Sequence, residues 1–487
     1  MKILLVNPKI YPVRRVPLGL AYIAAVLKKE NYNVKVYDPI EHKDSEFKNL
    51  LLDYKPDVVG YTSTTPQSVL VKRLSHIVKA SLPNTYNIVG GVHATEMPKD
   101  LLSDKSIDFT IIGEGELTVL ELIKHLEHKI DLKDIKGLAY RKDNTIHFNE
   151  PRPLIENLDT LPFPARDLFN MDYVNQKNIH TMRGLWLKSL SVMTSRGCPF
   201  RCIYCASKTM WSRRARQRSS KNIVNEIEHL LSKYNVEGIM FIDDTFTLNR
   251  ERVFEICDEI KRRNLKFKLQ INSRVNTIDE EIIKALKSVG LIQVTFGVES
   301  GSRKILKVLK KDTTPEQAIT AFRLCQKHGI GTVANFMIGN PEETLKDIEE
   351  TVNHAKKLNA TFTDIFITTP FPNTELWYMA VKNKWINQSD YSKMLIGYVN
   401  DKVPSKFMEI NFTSEEILNI LKKARKKFLM KKIHGLIVQK RFIFDMLSVI
   451  AQQPYLIIKI IIKYFKTFDI ELALRILEDA ERKHSFK

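Results

Sequence analysis

Three of the five cysteines in this 487-residue chain crowd into one short stretch, Ser195-Arg196-Gly197-Cys198-Pro199-Phe200-Arg201-Cys202-Ile203-Tyr204-Cys205. An apolar-alternating, β-branched run at 190–194 leads into it, and Gly197 and Pro199 then break the strand into a loop. A tight loop at a strand end lets three thiolates meet one soft metal centre: iron–sulfur, zinc or copper rather than magnesium or calcium. Clusters that serve only structure or electron transfer usually take four cysteines. Three leave one metal position open, where a substrate can bind. The feature therefore demands a fold that presents its loops at the ends of strands. His180 and His229 are the nearest histidines and neither stands at zinc-finger spacing, which makes a structural Cys3His zinc site the weaker alternative.

The first 130 residues alternate short strands with helices. Apolar runs at 3–6, 34–37, 58–61, 88–89 and 109–112 read as buried parallel strands, with helical patterns such as 18–29 and 69–80 between them. Alternating βα units with buried strands imply a doubly wound α/β sheet. Small residues gather at the strand ends, around Ser63 and Thr64, at Gly90-Gly91-Val92-His93 and at Gly113-Glu114-Gly115-Glu116. Ligands of such sheets lie outside the carboxyl ends of the strands, and glycines there let a ligand approach the backbone. None of these glycine runs is G-x-G-x-x-G, so a nicotinamide reading is weak and a nucleotide-like cofactor is all this half indicates alone. Residues 137–141 and 145–149 read as a hairpin around Asp143-Asn144, and the proline-punctuated stretch 158–166 reads as a linker.

Strands recur at 190–194, 238–242, 267–271, 293–298, 332–338 and 362–368, with helices at 223–234, 251–263, 280–289, 316–328 and 344–358 between them. Six βα units suggest an open, partial TIM-type barrel with its working residues at the strand C-termini. Asp243 and Asp244 stand just past the second strand, where carboxylates can accept from a cationic amine. Arg274 ends the third, a planar fork suited to a carboxylate; Glu299 and Ser300 end the fourth, and Gly339 the fifth. Acidic residues at loop starts are often only helix N-caps, which remains the alternative for Asp244 and Glu343.

The cysteine spacing, with aromatic Tyr204 before the last cysteine, resembles the signature of the radical S-adenosylmethionine (SAM) enzymes. The resemblance implies a (β/α)6 barrel and a 4Fe–4S cluster on Cys198, Cys202 and Cys205. SAM would chelate the fourth iron and be cleaved to a 5′-deoxyadenosyl radical. It also implies SAM contacts from Tyr204, Asp243 and Asp244 (amino group), Arg274 and Ser300 (carboxylate), Glu299 (ribose) and Gly339 (adenine side). The Pro17-Leu18-Gly19-Leu20-Ala21, Gly90-Gly91-Val92-His93 and Gly113-Glu114-Gly115-Glu116 runs resemble the cobalamin-binding domain of one subgroup. It contains class B methyltransferases, hopanoid-modifying enzymes and the anaerobic magnesium-protoporphyrin ester cyclase. That resemblance implies cobalamin near Ser63, Thr64, Gly90, Gly91, Gly113 and Glu114; a degenerate domain that binds nothing is the alternative. Many cobalamin domains ligate cobalt from a D-x-H-x-x-G loop after the first strand. Here that strand runs into Asn7-Pro8-Lys9-Ile10, and no histidine precedes His42. The expectation is cobalamin without a protein histidine on cobalt, with His93 hydrogen-bonding rather than ligating.

The domain reading is 1–150 for the Rossmann-like cobalamin unit, 151–188 for the linker, 189–380 for the barrel and 381–487 for a helical C-terminal region. The net charge of +20 fits nucleic acid, an anionic membrane, acidic cofactors or a solvated basic surface, and cannot choose among them. The basic run at 211–218 reads as a solvated loop or a cofactor contact. At 454–466 Lys459, Lys463 and Lys466 share one face and apolar residues cover the rest, a pattern of interfacial helices or of a helix packed on the barrel. The apolar run 3–6 ends at Asn7-Pro8, too short for a secretory signal. Cys257 and Cys325 have no neighbouring cysteine, so no disulfide framework is expected and the setting is a reducing cytosol.

Methyl transfer to an unactivated carbon is the leading function. The runner-up is a radical cyclase or rearrangement enzyme acting on a tetrapyrrole or lipid. Radical methylthiolation of RNA is disfavoured because residues 1–197 contain no cysteine, and a redox or cobalamin-binding regulator would need no SAM site. The expected partners are a small-molecule substrate and an electron donor such as ferredoxin or flavodoxin, with peripheral membrane contact left open and nucleic acid not expected.

Overall fold

The computed structural model of the chain describes residues 1–10, 14–127, 131–179, 181–387, 407–429 and 455–467, together with 433, 447, 450 and 451. The first unit runs β1 (Lys2–Val6), α1 (Leu18–Lys29), β2 (Asn33–Tyr37), α2 (Asp44–Tyr54), β3 (Val58–Thr62), α3 (Ser68–Ser81), β4 (Tyr86–Gly90), α4 (Val92–Glu96), α5 (Pro98–Leu102), β5 (Phe109–Ile111), α6 (Gly115–Leu126), β6 (Leu138–Lys142) and β7 (Thr145–Phe148). Its sheet has the order β2-β1-β3-β4-β5-β6-β7. Strands β1 to β5 are parallel, as their apolar runs imply. The 137–149 hairpin is not separate from them: β6 joins β5 antiparallel and β7 follows, so the doubly wound sheet has a mixed edge. Strand order reverses between β1 and β3, the switch point where such sheets hold their ligands.

A connector with α7 (Met171–Val174) leads to β8 (Ser189–Val192), β9 (Ser195–Arg196), α8 (Ser207–Trp211), β10 (Arg216–Gln217), α9 (Ser220–Tyr234), β11 (Gly238–Phe241), α10 (Arg250–Arg262), β12 (Lys268–Ser273), α11 (Glu280–Ser288), β13 (Leu291–Glu299), α12 (Arg303–Val308), α13 (Pro315–Lys327), β14 (Gly331–Ile338), α14 (Leu345–Leu358), β15 (Phe362–Ile367) and α15 (Glu375–Lys382). Six of these strands form one all-parallel sheet in sequence order, β8-β11-β12-β13-β14-β15, the partial barrel that the spacing predicts. Its helices begin where the sequence offers a cap. Ser219, Asn249, Asp279, Thr314 and Thr344 each accept an N–H of the following first turn, a contribution of about 1 kcal/mol apiece. Helix α9 buries Ile223, Val224, Ile227 and Leu230 against the sheet, an i, i+1, i+4, i+7 stripe.

One apolar core runs through both units. It joins Ile3, Leu5 and Ile88 and helices α1 and α6 to Leu190, Ile239 and Phe296 of the barrel. A second core lies on the far side of the N-terminal sheet, under α2 and α3. Thr62 and Gly90, at the carboxyl ends of β3 and β4, and Met193 and Ile242, just past those of β8 and β11, line one cavity, so the two sets of strand ends share a seam. Beyond the barrel, helix Ser414–Lys426 covers β15 through Ile417 and Leu421. Of the expected lysine stripe at 454–466, Lys459 is described, whereas Pro454 and the side chains of Lys463 and Lys466 lie outside the described residues.

Candidate active site

The cysteine loop is anchored at both ends. Asp243, which follows β11, is fully buried and accepts the N–H groups of Thr194 at 2.7 Å and Ser195 at 2.8 Å and the Thr194 hydroxyl. Burial raises its carboxyl, and the Arg252 guanidinium beside it opposes the rise. Its oxygens hold the strand that leads into the loop, which makes Asp243 an anchor of the cysteine loop at the strand end that the resemblance gives to the SAM amine. Asp244 is exposed and accepts from Ser207 Oγ at 2.5 Å, so it is the carboxylate of the pair that an incoming cation can reach.

Cys198, Cys202 and Cys205 are all half-buried. The N–H groups of Phe200 and Ser207 point at Cys198 and Cys205, and Arg274 Nη1 donates to Cys202 Sγ at 3.6 Å. Burial pushes the Cys205 thiol up to about 11, a cost that a metal removes by deprotonating its ligand. Among the described residues no three His, Cys, Asp or Glu side chains converge as ligands of a single ion. A 4Fe–4S cluster takes each thiolate on a different iron, so its sulfurs stand apart around it. A half-buried loop of three thiols with N–H donors aimed at sulfur fits that group. Cys257 and Cys325 lie fully buried within α10 and α13, with thiols pushed up to about 12 by burial.

Around the loop the strand ends carry charge. Arg274 lays its guanidinium over the Phe200 ring at 3.7 Å and donates to the Lys311 carbonyl. Glu299 sits at a bulge in β13 with φ of 69°, a left-handed backbone uncommon outside glycine. It pairs with Lys311 Nζ at 2.8 Å, and the same Nζ lies 3.3 Å from the Tyr204 hydroxyl. Lys311 is absent from the sequence reading; it follows a short helix, and only the fold brings it to the loop. Ser300, the other residue named for the carboxylate, is wholly buried and bonded to the Thr351 hydroxyl and the Ser302 N–H. The N–H of Gly339 is taken by Glu343 at 2.6 Å, and burial pushes the Glu343 carboxyl up to about 7. Glu343 is thus a loop brace, and Thr344 provides the cap of α14.

On the other side of the seam lies an apolar cavity of about 280 Å³. Ile3, Leu5, Val58, Gly60 and Ile88 of the sheet form one wall, and Leu20 and Ile23 of α1 and Val119 of α6 form the other. Gly90, Gly91, Gly113, Glu114, Arg196, Met210 and Trp211 also line it, the last three from the segments that flank the cysteine loop. At Gly91 (φ 99°) a Cβ would stand 2.9 Å from the Ser63 carbonyl, so only glycine fits. A preformed apolar slot with glycines in its lining fits the nucleotide tail and corrin edge of cobalamin. Ser63 is sealed, its N–H on the Gly90 carbonyl, and Thr64 faces solvent and caps the turn at 65–67. His93 is buried with its ring nitrogens 3.2 Å from Thr65 and 3.1 Å from Asp100, which leaves neither for cobalt.

Glu114, named for cobalamin, is engaged across the seam. Its carboxylate accepts from Arg196 at 2.5 Å, from Arg216 at 2.8 Å and from the Ile155 N–H at 2.7 Å. The basic run at 211–218 divides accordingly. Arg213 and Arg214 are exposed, but Arg216 and Arg218 are buried on Glu114 and Glu226.

Residues 192–355 match the model of the radical SAM superfamily, and residues 13–123 match that of the B12 binding domain. A Pyrococcus horikoshii protein named as an uncharacterized methyltransferase is 36% identical over 471 residues, covering 93% of this chain and 99% of its own. The anaerobic magnesium-protoporphyrin IX monomethyl ester cyclase of Cereibacter sphaeroides is 29% identical over 429 residues, 85% of this chain and 67% of that protein. Among solved structures, the cobalamin-dependent SAM radical enzyme OxsB, with aqua-cobalamin and SAM bound, superposes with a TM-score of 0.71 at 20% identity, covering 99% of this chain and 75% of that one. The chain belongs to the radical SAM family, among the members that carry a B12-binding domain. It is a cobalamin-dependent radical SAM enzyme whose cofactors are a 4Fe–4S cluster, SAM and cobalamin.

Proposed function

We propose that the enzyme transfers a methyl group to an unactivated carbon of a small-molecule substrate, with electrons from a small redox protein. The observation that carries this reading is the apolar slot, which is lined by residues of both units, among them Arg196, Met210 and Trp211 from the segments that flank the cysteine loop. The name of the Pyrococcus relative supports methyl transfer. When bound, the three groups supply an electron, an adenosyl radical and a methyl donor. The chain's own residues do the rest. Cys198, Cys202 and Cys205 hold the cluster, Asp244 and Arg274 offer a carboxylate and a guanidinium to the amino acid end of SAM, and Glu299, held by Lys311, offers acceptors to hydroxyls. The apolar core on either side of the seam keeps water from a reactive centre.

The test is anaerobic turnover with trideuteromethyl-labelled SAM and a strong reductant on lipid and tetrapyrrole extracts. The reading expects 5′-deoxyadenosine together with a product that carries the label. Deoxyadenosine with an unlabelled, altered product would instead establish cyclisation or rearrangement, which the name of the Cereibacter relative supports.

A second reading concerns the place of the substrate. Helix Leu456–Thr467 presents Ile457, Ile458, Ile461 and Ile462 on one face, 43 to 62% exposed, with Lys459 also exposed. Among the described residues no helix is long and apolar enough to cross a membrane. Four bare isoleucines on a basic helix suit the interface of an anionic bilayer. Ile458→Glu with Ile462→Glu should lower sedimentation with anionic vesicles several-fold while SAM cleavage is unchanged; equal sedimentation would remove this reading.

A further inference from the structure

The seam between the two cofactor sites contains four buried charges that are paired with one another. Arg196 donates to Glu114 and to Glu116, each at 2.5 Å, and Arg216 donates to Glu114 at 2.8 Å. All four side chains are at most 5% exposed. The Arg196 guanidinium also lies between two aromatic rings, 5.2 Å from the centre of Tyr22 of α1 and 5.1 Å from that of Trp211 of α8. Arg196, Glu114, Glu116 and Trp211 all line the apolar slot. Arg196 is also the second residue before Cys198.

The arrangement is tense by construction. Strands β9 and β10 form a two-residue antiparallel ribbon in which Arg196 stands directly opposite Arg216. Like charges facing one another across a pair of strands repel, and here Glu114 holds the two together. Glu114 is flanked by Gly113, at φ of 79°, and Gly115, so it rides on a backbone that can turn. On the other side, Gly197 (φ 94°) is packed so closely that a Cβ would lie 2.3 Å from the Arg214 carbonyl. A shift of the glutamate loop therefore leaves two buried arginines face to face, and the ribbon that carries the cysteine loop must yield. Arg216 keeps two buried donors, Nε and Nη2, without acceptors, so the ribbon has donors to spare when the slot changes.

We propose that Arg196 is a positioning residue that couples occupancy of the apolar slot to the setting of the cysteine loop. A ligand seated in the slot fixes the 113–116 loop, Glu114 and Glu116 fix Arg196, and Arg196 fixes the strand that enters the cluster. Because such coupling is reciprocal, a cluster on the cysteines must tighten the slot by the same factor. The inference rests on the assignment of the slot to cobalamin.

The experiment measures hydroxocobalamin affinity of the full chain by anaerobic equilibrium dialysis, with and without a reconstituted cluster. Wild type should bind at least about fivefold tighter with the cluster present. Arg196→Lys keeps the charge but cannot reach both glutamates, and Glu116→Gln removes one arm alone. In either variant the linkage should fall to about twofold or less. The electron paramagnetic resonance signal of the reduced cluster should shift on cobalamin addition in wild type and not in the variants. If Arg196→Lys fails to fold, Glu116→Gln carries the test. Wild-type affinity that ignores the cluster, or folded variants that keep the full linkage, would overturn the proposal. A wild type that binds no hydroxocobalamin would overturn the slot assignment and this coupling with it.

Discussion

The two sheets present the same architectural feature, the carboxyl ends of parallel strands, and furnish it in opposite ways. The N-terminal sheet ends in glycines over an apolar slot, and its nearby charges are already paired across the seam. The barrel ends in charge gathered around the cysteine loop: Asp244 exposed, Arg274 buried on a sulfur and a carbonyl, Glu299 buried on a lysine. The difference follows the ligands. Cobalamin is a large preformed ring with an aromatic tail, recognised by shape and apolar burial. SAM is a small zwitterion with a sulfonium, recognised by opposite charge and bidentate hydrogen bonds. A fold that supplies strand ends thus binds either, according to what stands there.

The sharpest way to break this comparison is to delete each side in turn. Cys202→Ala should lose cluster iron entirely and still bind cobalamin, with affinity lowered about fivefold by the loss of the cluster, whereas Cys257→Ala, buried in α10, should keep its iron; iron analysis and hydroxocobalamin titration read both. Conversely, Gly60→Val puts a branched side chain on the wall of the slot, where a Cβ already meets Leu5 Cδ2 at 2.9 Å. It should weaken hydroxocobalamin binding by about tenfold or more, since roughly 1.4 kcal/mol of lost packing suffices, with iron unchanged. Equal loss of both metals would show that the two sites are one cooperative unit.

Neighbouring aspartates sharpen the same contrast within the barrel. Asp243→Ala strips three donors of their acceptor in a fully buried place and should cost about 3 kcal/mol of stability. Asp244→Ala, on an exposed carboxylate, should leave unfolding within about 0.5 kcal/mol of wild type and weaken SAM binding about tenfold. Denaturant melts and SAM titration separate the two.

A pH dependence at the seam adds a further contrast. Glu96, at the end of α4, accepts from the Thr209 hydroxyl at 2.9 Å, while its second oxygen is buried without a partner. Burial pushes this carboxyl up to about 7. The folded state then holds a proton that the unfolded chain has released. The stability Glu96 contributes is full below about pH 4.5 and is lost as pH rises through about 7. Between those values wild type should lose about 2 kcal/mol, discounted for partial solvent screening, relative to Glu96→Gln. Parallel pH profiles of the two melts would show that Glu96 ionises freely.

Much of this was legible in the residues. The apolar runs and their βα alternation predict both sheets, because a strand buried on two faces must be apolar throughout. Cys198, Cys202 and Cys205 announce a metal loop by spacing alone. What escaped is what sequence does not encode locally. The β9–β10 ribbon is two residues long on each strand and has no period to read. Arg216 and Arg218 sit in a basic run whose composition is the same whether solvated or buried, and only their distant glutamates decide it. Asp243 and Asp244 look equivalent in the chain, yet one step along a strand end turns them opposite ways. Lys311 reaches Tyr204 across 107 residues, a pairing that no local pattern signals. The Ser195-Arg196-Gly197 and Glu114-Gly115-Glu116 runs held the one available hint, charges set among glycines beside both sites.

The measurement that bears most directly on the whole account is the joint cobalt and iron content of the full chain, purified anaerobically, reconstituted, and offered hydroxocobalamin. The account predicts iron matching one 4Fe–4S cluster and an equimolar amount of cobalt retained through gel filtration. Iron at that level with no retained cobalt would contradict it.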